Sequence, residues 1–228
     1  MLIFQNIIDA QYHYQPIWIL IIIILSVVTI GYLYSGFNAQ LKSVISSFFS
    51  FRVSNQSSRE EQSLFHPASI LLSLNFLLTA SLFILYVATA NKKLSLLINF
   101  SFLSFLIIIG IIFSTYLIKI AFHKLIGVIF DLRQQINEYV SAMLLSKQLL
   151  GICFLPIIVF ISYGEKTVLN GIIYAGFTLL IVAYIFRVGK GTLGLLRRKI
   201  TLFYLILYLC TLEVLPLLLG IKLIKIFA

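Results

Sequence analysis

One carboxylate stands where carboxylates are rare. Glu213 lies near the middle of KITLFYLILYLCTLEVLPLLLGIKLIK, residues 199–225. Between its flanking basic residues this run is long enough to cross a bilayer as a single helix, which takes about 20 residues. A carboxylate at mid-membrane costs about 2.5–3.5 kcal/mol on insertion scales, so it marks a pairing or functional position by default. Pro216 lies three residues on, and its ring leaves the carbonyl of Leu212 without a helical donor, placing an acceptor beside the acid. Tyr204, Tyr208 and Thr211 fall on nearly the opposite side of the wheel, so this helix carries two polar features and should pack on at least two sides. The chemistry open to such a site is cation or proton binding. The bland alternative is a neutral acid, favoured by desolvation, that locks the helix to a neighbour.

Lys147 is the best intramolecular partner for Glu213. It lies about two turns inside another apolar run, and pairing competes with snorkelling of its ammonium to the headgroups. Arg197, Arg198 and Lys199, just before the final run, form a basic cluster suited to lipid headgroups. The segment VGKGTLGLLRRK, residues 188–199, superficially resembles a phosphate-binding glycine loop, yet it lacks the spacer and the preceding strand that such a loop requires. Glu60 and Glu61 read as solvated. His13, His66 and His123 are scattered without metal-ligand spacing, and no Ser/His/Asp, Cys/His or paired-carboxylate set can be assembled. The expectation is therefore no catalytic residues, no metal site and no cofactor. Cys153 and Cys210 both fall inside apolar runs and read as small packing residues.

These residues must be positioned by membrane helices. Of the 228 residues, 61% are apolar and only 11% charged, and a soluble domain would carry about twice that charge. The apolar runs are continuous rather than alternating, so backbone satisfaction in hydrocarbon points to helices and not to a barrel. The fold class expected is all-α, a polytopic membrane bundle forming one domain. A net charge of +10 comes from residues between the apolar runs, where orientation signals and headgroups explain it without nucleic acid. The first sixteen residues hold no Lys or Arg, so no cleavable signal peptide is expected.

Six spans are expected, at about 16–34, 67–90, 94–118, 140–163, 167–188 and 200–221. Amphipathic segments at 40–52 and 120–138 are expected to lie along the membrane surface, the second able to run on from the third span. Within the second span, Asn75 and the Thr79-Ala80-Ser81 cluster read as small or polar packing positions. Gly189-Lys190-Gly191 opens a basic, glycine-rich connector. With the N-terminus outside, the inner connections hold eleven Lys and Arg against five outside, which favours both termini on the periplasmic side.

The stretch FYLILYLCTLEVLP, residues 203–216, together with LLSKQLLGICFLPII in the fourth span and the basic connector before the sixth, resembles the bacterial family catalogued as domain of unknown function 4271. The resemblance runs from about Leu64 onward, with residues 1–63 largely outside it. It implies an integral inner-membrane protein of the Bacteroidota type and supplies no reaction. Three functions stay open: a subunit or accessory factor of an envelope complex that associates through helix faces with other membrane subunits, a small transporter or proton-coupled channel centred on Glu213, and an integral-membrane enzyme acting on lipid.

Overall fold

A computed structural model describes residues 16–38, 42, 67–90, 99–129, 133–164 and 166–196. The chain divides into two compact units, Met1–Tyr184 and Ile185–Ala228. All regular structure among the described residues is helical: α1 (Ile17–Gly36), α2 (Pro67–Ala90), α3 (Phe102–Ile129), α4 (Arg133–Tyr163) and α5 (Lys166–Leu196). Four stretches are long and apolar enough to cross a membrane, namely α1, α2, α3 and the Met143–Tyr163 part of α4, while the apolar part of α5, Gly171–Phe186, is shorter. The expected sixth span, 200–221, and the expected surface segment at 40–52, apart from residue 42, lie outside the described residues.

Helix α2 is the centre of the first unit. It touches α1, α3 and α4, most extensively α4. Matched pairs along the α2–α4 seam advance together: Gln148 with Ser69 and Ser73, Gly151 with Phe76, Phe154 with Phe83, and Ser162 with Tyr86. These two helices therefore run in the same direction. Leu33 near the end of α1 meets Ala68 and Leu72 at the start of α2, whereas Ile19 and Ile22 share a cluster with Leu82 and Leu85 near its end. Helix α1 is therefore antiparallel to α2, as alternating spans require. Trp18 at the start of α1 packs against Phe100, Phe102 and Phe105 at the start of α3, with ring centroids 5.6–6.0 Å apart. Tyr86 lies 5.5 Å from Phe100. Trp18 and Tyr86 in this aromatic group are the residue types enriched at membrane boundaries.

The helix ends depart from the sequence reading in instructive ways. The sequence places the start of the third span near Leu94, but α3 begins at Phe102. Ser101 initiates it, its hydroxyl accepting the backbone N–H of Ser104 at 3.3 Å, as an N-cap serine does. Within the segment 120–138, the first part runs on from the third span, continuing α3 to Ile129, and the last part is the start of α4 at Arg133. The Gly189-Lys190-Gly191 connector is likewise helical, as α5 runs to Leu196. Each glycine costs about 1 kcal/mol in a helix, but without a proline no backbone donor is lost, and a helix already nucleated extends at little further cost.

Glycine permits the closest approaches. A Cβ on Gly151 would sit 2.7 Å from the Cα of Phe76, and one on Gly176 would fall 2.4 Å from the Phe83 ring. Phe83 cannot easily give way, since it stacks on Phe154 at 5.0 Å. Gly110 on α3, by contrast, has open space around it. Gly151→Val is expected to lower stability by about 1–3 kcal/mol through overpacking. Gly110→Ala should hold or raise it by about 0.5–1 kcal/mol through helix propensity. Unfolding by denaturing detergent, titrated for both variants, checks the contrast.

Candidate functional site

Of the site residues singled out in the sequence, only Lys147 falls in the described part. Glu213, Tyr204, Tyr208, Thr211, Pro216, Arg197, Arg198 and Lys199 lie outside it. Lys147 is half-buried on α4, and its Nζ stands 3.7 Å from the centroid of the Tyr116 ring on α3. An ammonium over an aromatic face is drawn by the ring quadrupole, worth about 0.5–2 kcal/mol depending on desolvation. Tyr116 was missed because its only sequence signal is a tyrosine one turn before Lys119 in an otherwise apolar run. On the same α3 face, His123 is fully buried and its Nδ1–H donates to the carbonyl of Lys119 at 2.6 Å. His123 faces the protein because α3 continues as one helix and carries that face onward.

The α2–α4 seam holds the densest polar chemistry among the described residues. Gln148 is buried on α4, and its amide nitrogen donates across the seam to the Ser69 hydroxyl at 2.6 Å, the Ser69 carbonyl at 3.1 Å and the Ser73 hydroxyl at 3.4 Å. The Ser73 hydroxyl in turn donates to the Ser69 carbonyl at 2.8 Å. Toward the far end of the seam, the Tyr86 and Ser162 hydroxyls pair at 2.9 Å. Ser69 and Ser73 are one turn apart on one face of α2, which is why a single forked amide reaches both. Gln148 was visible in the fourth span, but its partners 75 and 79 residues away left no local signature.

Asn75, Ser26 and Gln148 are buried side chains with polar atoms left over. Asn75 on α2 is 1% exposed, and neither its amide nitrogen nor its oxygen has a hydrogen-bond partner among the described residues. The same holds for the hydroxyl of Ser26 on α1 and for the carbonyl oxygen of Gln148. Among the described residues no three His, Cys, Asp or Glu side chains gather as metal ligands would. What the seam can do chemically is hold two helices in a fixed register and present neutral donors and acceptors inside an apolar layer.

Comparison with known families adds one result. The family described as "domain of unknown function (DUF4271)" matches residues 3–224. The chain belongs to this family. The match takes in almost all of the N-terminal 63 residues that the sequence resemblance had left aside, so α1 and the stretch after it are part of the family's extent. No curated protein and no solved structure matches the chain.

The Gln148 fork makes a defined prediction. In a double-mutant cycle of Gln148→Leu with Ser69→Ala, the coupling energy should be about 0.6 kcal/mol and no more than about 1.7 kcal/mol, the mean and the maximum measured for interhelical hydrogen bonds in a membrane protein. Thermal or detergent unfolding of the four proteins measures it, and additive losses would show that the bond to the Ser69 hydroxyl contributes nothing.

Proposed function

We propose that this chain is a non-catalytic subunit or accessory factor of a bacterial inner-membrane complex, working by association with other membrane proteins. The observation that carries the reading is the continuation of α3. Measured from the aromatic boundary at Phe102, about 20 residues at 1.5 Å each use up a hydrocarbon layer of about 30 Å. Helix α3 has 28 residues, so its last two turns project past that layer. The projecting part keeps Phe122, Leu125, Val128 and Ile129 exposed, each more than half accessible. Within hydrocarbon such a face is ordinary, whereas beyond it a contiguous apolar stripe marks a protein contact. Lys119 and Lys124 flank the stripe and fit the basic, cytoplasmic side of the positive-inside rule. The seam of Gln148, Ser69, Ser73 and Gly151 supports the same reading, because it makes a stiff platform from which α3 extends.

Transport is the second reading, resting on Glu213 in the last apolar run. The two separate on gentle detergent extraction from native membranes, with native mass spectrometry of the extract. Association predicts a stoichiometric heteromer that Leu125→Asp/Val128→Asp dissociates while the subunit stays folded. A lone monomer whose reconstituted proton flux is abolished by Glu213→Gln would replace it with transport.

A further inference from the structure

We propose that α1 and α2 enclose a polar compartment near mid-membrane whose ligand is ordered water, bound by Asn75, Ser26 and Thr79. Among the described residues, the buried apolar side chains of α1 and α2 fall into two separate clusters. Leu33, Ala68 and Leu72 make one cluster toward one end, and Ile19, Ile22, Leu82 and Leu85 belong to another toward the opposite end. The antiparallel register set by these two clusters brings Ser26 to the level between Asn75 and Thr79.

On α1, Ile19, Ile22, Ser26 and Leu33 are the buried positions, and they fall on one stripe of the helix. On α2, Leu72, Asn75, Thr79 and Leu82 are buried and recur at the same spacing of three and four residues. The two stripes share the bundle interior, and at their middle both turn from apolar to polar. Counted from the aromatic boundary, Ser26 is eight residues beyond Trp18, or about 12 Å, and Asn75 eleven residues before Tyr86, or about 16 Å. Both depths are close to the centre of a layer about 30 Å thick.

The chemistry of the compartment selects its occupant. The Thr79 hydroxyl donates to the backbone carbonyl of Asn75 at 2.9 Å, which leaves its oxygen able to accept. Ser26 offers a hydroxyl, and the Asn75 side chain offers two N–H donors and an amide oxygen, with no partner for any of these groups among the described residues. Leaving a buried amide unmatched costs about 1–3 kcal/mol. The groups are neutral and include donors and acceptors together, so an ion gains little from them, whereas water can satisfy both kinds at once with its usual two to four hydrogen bonds. Closure by apolar clusters above and below makes this water resident rather than part of a path across the membrane.

Water-edited solid-state NMR on the full chain in bilayers of deuterated lipid tests the proposal directly, with water itself as the probe. The Asn75 side-chain amide should gain magnetisation from water several-fold faster than the backbone amides of Leu72 and Leu82 in the flanking clusters. Ser26→Val, which fills the compartment with methyl groups, should slow Asn75 to the rate of those neighbours while their own resonances stay in place. An Asn75 amide as slow as Leu72 and Leu82 in the unmodified chain would mean that protein atoms satisfy it and would overturn the proposal. A fast rate that survives Ser26→Val would overturn it too, since the water would then reach Asn75 from outside the compartment.

Discussion

In hydrocarbon, one apolar helix gains little by leaving lipid for another, so what holds a bundle together is close packing and the few hydrogen bonds that lipid cannot offer. In this chain both occur on one seam. Gly151 lets α4 come within backbone contact of Phe76 on α2, and one turn away Gln148 forks onto Ser69 and Ser73. The two depend on each other. A side chain at position 151 would push the helices apart, and the 2.6 Å contact to the Ser69 hydroxyl would lengthen beyond use. Helix α2 can then serve as the post against which α1, α3 and the first part of α5 are set.

That arrangement explains the uneven character of the helices. Helix α2 turns its small and hydroxylated residues toward protein, with Asn75, Thr79, Ser81 and Thr89 all buried. Several of these hydroxyls also close back on their own helix: Thr79 on Asn75, Ser81 on Leu77 and Thr89 on Leu85. The outer helices present broad apolar surfaces instead, such as Leu103, Ile107 and Ile111 on α3. On the association reading, the same helix faces lipid over its first twenty or so residues and then runs on past the layer with its apolar stripe unchanged.

The helical class and the second span at Pro67–Ala90 were legible because apolar length alone decides them. Asn75 and Thr79 were legible as packing positions for the same reason, since a polar residue in such a run has to face protein. The start of α3 was not, because Leu94-Ser95-Leu96-Leu97 is as apolar as Phe102-Leu103 and the residues after them, and only the capping geometry at Ser101 distinguishes the boundary. The helical course through Gly189-Lys190-Gly191 was misread by weighing glycine content above the small cost of extending an existing helix. Lys147 stood out by its charge, but its aromatic neighbour Tyr116 comes from another helix. The Gln148 fork was hidden for the same reason, as contacts across 75 and 79 residues of chain leave no periodicity to read. Glu213, from which the sequence argument began, lies outside the described residues and enters no part of the packing account.

The parallel pairing of α2 with α4 in one register is the central claim, and thiol cross-linking in native membranes tests it most directly. In a Cys153→Ala/Cys210→Ala background, Ser69→Cys with Gln148→Cys, and Tyr86→Cys with Ser162→Cys, should each cross-link under oxidation or a short bifunctional reagent, while Tyr86→Cys with Gln148→Cys should not. Efficient cross-linking of that last pair, with loss of the first two, would mean that the helices run in opposite directions and would contradict the seam.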